Sequence, residues 1–281
     1  MNEQHDFLAV TAAELGNGTS FSVEILDSNI DLYHDIARVM FDLVARNNAA
    51  GQPTAMIVPV GPVFQYRRFA RLVRLYDLDL THTRFFFMDE YLNGNGRWIG
   101  QDSPLSFRGF VRRELLDRLP AERALREGQV QFPDPADPSA YTTMLDEHGG
   151  ADLCVAGVGI CGHLAFNEAM PEDRIAADDF ARLPARVLEL TTETRTINAH
   201  TAANGNLAAI PQRAVTVGMR EILAAREIRV YMERDWQPAV ARRMMHGPVT
   251  PECPASLLQR HPNVHVIMTP TVAAAPLQAL R

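Results

Sequence analysis

The chain contains no lysine: all 27 of its basic residues are arginine, set against 34 acids for a formal net charge of -7. Binding phosphate backbones needs a basic face, so this balance argues against nucleic acid as the main partner. Arginine alone fits a GC-rich coding background more readily than a function. Cysteine is scarce and odd in number. Cys154, Cys161 and Cys253 have no framework spacing, which argues against a disulfide scaffold. No run is long and apolar enough to span a bilayer, so no membrane partner is expected. The opening segment MNEQHDFLAVTAAELG carries acids and lacks a basic start followed by an apolar stretch, unlike a signal peptide. These absences lead to the expectation of a cytoplasmic protein. Repeats, low-complexity tracts and obvious linkers are also missing, and one domain over 1–281 is expected.

What is present is the composition of an ordinary globular chain, 47% hydrophobic and 22% charged, long enough to bury a sizeable core. Short apolar runs alternate with amphipathic stretches. Phe21 to Leu26 reads as a strand, and Asp31 to Val44 as a helix with Leu32, Ile36, Val39, Met40, Leu43 and Val44 on one face. Ser28, Asn29 and Asp31 supply start signals for that helix. Ala55 to Val60, Phe85 to Met88 and Ala151 to Ala156 read as further strands, with later ones at 214–217, 228–232 and 264–268. Helices are expected over 64–75, 107–118 and near 194–202, 218–225, 236–246 and 271–280, with a loop from Pro133 to Pro138. This alternation predicts an α/β fold, doubly wound and Rossmann-like, with a mainly parallel sheet covered by helices on both faces.

Ligands of such sheets bind beyond the carboxyl ends of strands, near the switch in strand order. Two segments leave strands there. In the first, Asp89 and Glu90 follow Phe85-Phe86-Phe87-Met88. Apolar surroundings would raise the pKa of Asp89 and make it a usable proton shuttle; equally, it could simply cap the strand. In the second, Gly157-Val158-Gly159-Ile160-Cys161-Gly162-His163 runs on to Ala165-Phe166-Asn167-Glu168. Its glycines permit a tight turn and close approach to a ligand, and His163 and Glu168 form an acid-base pair five residues apart. A lone histidine is more often structural than catalytic, so the combination carries the argument.

MDEY followed by GVG-x-x-GH-x-AFNE resembles the glucosamine-6-phosphate deaminase (isomerase) family. The likeness extends to Glu193-Thr194-Arg195-Thr196-Ile197-Asn198, to Ala214-Val215-Thr216-Val217-Gly218 and to Ala255–Pro262. The 6-phosphogluconolactonases share the fold but typically carry small residues and Leu-Phe-Pro after the Gly-His. The resemblance implies a reaction without metal or cofactor: the ring of an amino sugar opens, a proton moves between C2 and C1, and the C2 amine leaves as ammonia. It implies that Asp89 shuttles the proton, His163 protonates the ring oxygen, and Glu168 holds that histidine. The implied partner is a small sugar or sugar phosphate, and a homo-oligomer is possible in such a family. Substrate contacts are expected from Gly61, Pro62 and Val63, from Glu90 and Gly162 beside the reacting groups, and from His200 and Gln237.

Departures from the family pattern fall at the same site. Cys161 stands where an Asp or Asn orients the imidazole; it is either a small buried filler or a reactive thiol. Val60-Gly61-Pro62-Val63 replaces a hydroxyl-rich phosphate loop, bringing no hydroxyl and losing one amide. His200 and Gln237 fall where basic residues grip the phosphate. Either the substrate has no phosphate, or arginines such as Arg67, Arg68, Arg108 or Arg112 bind it differently. Arg186 and Leu188 fall where an Arg and a Lys help bind an allosteric activator, so insensitivity to that activator is expected. A lactone hydrolase and a non-catalytic sugar-binding protein are the competing readings.

Overall fold

The computed structural model describes residues 7–126 and 128–276. The first six residues of the opening segment, and residues 277–280 of the helix expected near 271–280, lie outside the described part. Seven strands form one wholly parallel sheet: β1 (Phe21–Ile25), β2 (Thr54–Val58), β3 (Thr83–Phe87), β5 (Val130–Gln131), β6 (Leu153–Ala156), β9 (Ile228–Met232) and β10 (Val264–Met268). Their order across the sheet is β1-β10-β9-β6-β2-β3-β5.

Helices cover both faces, and alternation along the strands sorts the side chains. Met56, Val58, Phe85 and Phe87 meet one layer: α1 (Asn29–Ala49), α2 (Gln65–Tyr76) and α3 (Phe107–Glu114), through Ile36, Met40, Phe69, Val73 and Val111. Ile57 and Phe86 meet the opposite layer: α4 (Pro138–Glu147), α5 (Ala177–Ala181), α7 (Met219–Leu223) and α8 (Pro238–His246). Double coverage explains why β2 and β6 are buried along their whole length instead of alternating with polar residues. Each fully buried phenylalanine contributes on the order of 2–3 kcal/mol by leaving water.

From β2 the chain moves outward through β3 to β5, returns to β6 on the other side of β2, and proceeds to β9 and β10. The switch point therefore lies between β2 and β6. Their carboxyl-end loops, Pro59–Val63 and Gly157–His163, are neighbours for that reason.

A second sheet departs from the expectation. β4 (Asp89–Leu92), β8 (Arg213–Thr216) and β7 (Arg186–Glu189) form an antiparallel sheet in the order β4-β8-β7. The strand expected at 214–217 is its middle member, not part of the parallel sheet. Only Met88 separates β3 from β4, so the chain passes between sheets at Asp89, which pairs with Thr216. The segment expected as one helix over 107–118 divides into α3 and a 3-10 turn at Leu116–Arg118. Helix α1 starts as expected, with the Ser28 hydroxyl accepting the Asp31 amide at 3.2 Å, and runs on to Ala49. Two helices remain: α6 (Thr192–Ala202) and the short α9 (Pro270–Ala273). No helix among the described residues is long and apolar enough to cross a membrane.

Candidate active site

After β6 the backbone folds back on itself. The Gly159 amide donates to the His163 carbonyl at 2.9 Å, and the Gly162 amide to the Gly159 carbonyl at 2.9 Å. Gly162 sits at φ +79°, where other residues are strained, and a Cβ there would press on Cys253 Sγ at 2.5 Å. At Gly159 a Cβ would lie 1.8 Å from His163 Nε2. The missing side chain is thus the space the imidazole occupies.

The other ring nitrogen meets α6. His163 Nδ1 lies 3.4 Å from Thr194 Oγ1 and 3.7 Å from Glu168 Oε2. Glu168 is held in turn: Oε1 accepts the Thr191 amide at 3.1 Å, and Oε2 accepts the Thr194 hydroxyl at 2.9 Å and the Thr191 hydroxyl at 3.2 Å. Because the Thr194 proton goes to Glu168, Nδ1–H is left to donate to Thr194, and Nε2 keeps its lone pair. Burial pushes the His163 pKa down to about 4, so the imidazole is neutral at rest. Burial also raises the Glu168 pKa, against the lowering effect of its Thr191 and Thr194 bonds. No hydrogen bond joins Cys161 to His163 among the described residues, and its half-buried thiol is shifted upward, chiefly by burial. The groups that stand at Nδ1 are Thr194 and Glu168, the second of them the residue expected to hold the histidine.

Asp89 opens β4 with only 7% of its surface exposed. Burial, reinforced by the neighbouring Glu90, lifts its pKa to about 8. No partner among the described residues donates a hydrogen bond to its carboxyl group, which faces a cavity of about 340 Å³, a volume suited to a monosaccharide. His163 lines the same cavity, as do Gly61, Pro62, Val63 and Gln237.

Other expected contacts lie elsewhere, for local reasons. Glu90 points to the opposite face of β4, as alternation requires, and seats the first turn of α3. It accepts from Ser106 Oγ at 2.8 Å, the Phe107 amide at 3.1 Å and the Arg108 amide at 2.9 Å, where a carboxylate also complements the helix dipole. Gly162 and Glu168 stand behind His163. His200 is exposed on another side of α6 from the cavity-facing Ile197, Asn198, Thr201 and Ala202. Gln237 lines the cavity, but its amide is occupied: Nε2 donates to Val158 O at 2.8 Å, while Oε1 accepts from the Glu233 and Arg234 amides at 2.9 and 2.8 Å.

None of the four candidate arginines lines the cavity. Arg67 pairs with Glu114, Arg68 lies over the Tyr33 ring at 5.5 Å, Arg108 over Trp98 at 4.2 Å, and Arg112 3.8 Å from Asp117. Arg186 donates to Asn167 Oδ1 at 2.8 Å. Residues passed over in the sequence complete the wall. Tyr91, two positions after Asp89 and so on its face, accepts from Asn198 Nδ2 at 2.9 Å, and the turn after β9 brings Glu233, Arg234 and Trp236. Strand alternation and the shared sheet edge were the available signals for them.

Comparison with known proteins adds the family. No family model matches the chain. The glucosamine-6-phosphate deaminase of Streptomyces coelicolor is 31% identical over 248 residues, covering 85% of this chain and 86% of that one. The glucosamine-6-phosphate deaminase of an Arthrobacter species is 30% identical over 220 residues, covering 76% and 77%. Among solved structures, a monomeric glucosamine-6-phosphate deaminase superposes with a TM-score of 0.76 at 21% identity, over 90% of this chain and 99% of that one. The 6-phosphogluconolactonase of Trypanosoma brucei follows at 0.66 and 18%, over 91% and 98%. The structural matches speak for the shared fold, and sequence identity over most of both lengths decides between the two groups: the chain belongs to the glucosamine-6-phosphate deaminase family.

Proposed function

We propose that this enzyme converts an amino aldose to a ketose with release of ammonia, using Asp89 and His163 as its proton-handling groups. A single observation supports this most strongly: one sugar-sized cavity is lined by a carboxyl group lifted to about 8 and an imidazole depressed to about 4. Two proton transfers at different atoms need two groups with different environments. Being neutral, His163 cannot begin by giving a proton away. Its Nε2 first accepts the proton of the anomeric hydroxyl and then delivers it to the ring oxygen as the ring opens. Thr194 and Glu168 hold the ring for this exchange. Asp89, ionised, takes the proton from C2 and returns it to C1. The resulting C2 imine is hydrolysed by water, giving the ketose and ammonia.

Incubation with amino sugars and their 6-phosphates, measuring ammonia and ketose together, tests the reading. Equal yields of the two products are expected. Hydrolysis of a sugar lactone with no ammonia from any amino sugar would reject it.

A further inference from the structure

We infer that a second pocket, on the side of α3 away from the active cavity, is an effector site for a nucleoside monophosphate.

This pocket has a volume of about 480 Å³, within the range of small-molecule sites, and lies where α3 meets the last strand of the parallel sheet. Arg108 and Arg112, which find no place in the active cavity, both line it, four residues apart on one face of α3. The Arg108 guanidinium lies over the Trp98 ring at 4.2 Å, and no carboxylate pairs with it among the described residues. Arg112 has only a distant, exposed partner: Asp117, at 3.8 Å, with 66% and 58% of the two side chains in solvent. Asp117 is the pocket's one acid, so the pocket carries excess positive charge in a chain of net charge -7. A phosphate group can accept from both guanidinium forks and replace that weak pair.

The pocket is built for more than a bare anion. Val111, Leu116, Val130 and Phe132 add apolar surface to the Trp98 ring. The two rings are fixed in place: Phe132 stacks on Phe87 at 4.7 Å and 9°, and Trp98 Nε1 donates to the Pro133 carbonyl at 3.1 Å. Such surfaces suit a flat base. β5 ends the sheet, and no strand among the described residues pairs with its outer edge, so its backbone offers donors and acceptors to the edge of that base.

Helix α3 joins this pocket to the active cavity. Arg108, Val111 and Arg112 face the first, while Phe107 and Phe110 line the second. The first turn of α3 is seated on Glu90, the neighbour of Asp89 in β4. A ligand that draws on the two arginines therefore acts on a wall of the active cavity.

The chain's two tryptophans divide between the pockets, Trp98 in this one and Trp236 in the active cavity. Trp236→Phe leaves Trp98 as the sole indole, and titrating the folded variant with AMP should change its fluorescence saturably. Inorganic phosphate should bind at least ~10-fold more weakly, because it lacks the stacking base. Arg108→Gln with Arg112→Gln in the same background should weaken AMP at least ~10-fold. Arg113→Gln, which removes an exposed charge of the same helix outside the pocket, should change it less than about twofold. In the otherwise wild-type enzyme, saturating AMP should shift KM for the amino sugar at least ~2-fold, and the two glutamines should abolish the shift. An unresponsive Trp98, equal affinity for phosphate and AMP, or equal weakening by Arg113→Gln would overturn the site. An unchanged KM, or competitive inhibition that persists in the double variant, would overturn its effector role. If no amino sugar is turned over, the proposed reaction falls while the Trp98 titrations still decide the site.

Discussion

Replacing Asp89 by Asn should make the enzyme inactive and, in alkaline solution, more stable. The carboxyl group is moved from its ordinary 3.8 to about 8, mainly by burial. Each tenfold displacement corresponds to about 1.4 kcal/mol, so the interval amounts to about 5–6 kcal/mol against the ionised folded state. Water entering the open cavity and local relaxation reduce this to roughly half, about 2–3 kcal/mol. The sign follows from linkage. Because the folded pKa lies above the unfolded one, Asp89 imposes no cost below about pH 4, and a growing one as pH rises to about 8. Asparagine does not titrate. Its advantage should therefore emerge between pH 4 and 8 and stay level above, raising Tm by roughly 5 °C at pH 9. Thermal unfolding of both proteins across that range is the assay. Turnover should fall about 1,000-fold, since the amide cannot accept the C2 proton. A Tm difference unchanged from pH 4 to 9, or an active variant, would refute the reasoning.

Wild-type kcat/KM should rise about tenfold per pH unit below about pH 8 and then level, as Asp89 ionises; a profile flat from pH 5 to 8 would assign the base elsewhere. Gly159→Ala places a methyl group 1.8 Å from His163 Nε2 and should lower turnover at least ~100-fold by displacing the ring, which a crystal structure of the folded variant would reveal. Thr194→Val removes the 2.9 Å bond to Glu168 and should destabilise the fold by about 1–3 kcal/mol in denaturant titration. It should also slow cyclic substrates more than open-chain ones. Cys161→Ser should keep more than half of wild-type turnover, and iodoacetamide should modify Cys161 slowly, its thiol being shifted upward by burial.

Six of the seven parallel strands were legible because they are short apolar runs that end in abrupt signals, whereas the two-residue β5 (Val130–Gln131) is too short to leave a pattern. Gly157 closes β6 and Asp89 follows β3, and the chemistry sits at those ends. The antiparallel sheet was hidden by the same signals. No turn residue separates Phe87 from Asp89, so β4 reads as the loop after β3, although its residues are all buried. Helix α4 was masked by its entrance: Asp137 and Pro138 read as the end of a loop, but here they are the cap and first residue of a helix, where proline's missing amide does no harm. At the site, Asp89 and His163 could be read from local motifs. What locks the imidazole could not: Thr194 lies 31 residues beyond His163, and only the docking of α6 brings it within 3.4 Å. Glu90 illustrates the opposite error, an acid beside the proton shuttle whose alternation along β4 sends it to the start of α3. His200, exposed on α6, and Gln237, whose amide is taken up by the Val158 carbonyl and the Glu233 and Arg234 amides, depend on packing that no local motif reveals.

The central claim, that Asp89 carries one proton between C2 and C1, is tested most directly by running the reaction in D₂O and reading the product by NMR. A shuttle open to solvent should leave deuterium at C1 of the ketose, at no more than one position, alongside released ammonia. Asp89→Asn should give neither label nor ammonia, even when supplied with open-chain substrate that needs no help from His163. Deuterium at C1 in the asparagine variant, at a rate near wild type, would contradict the account.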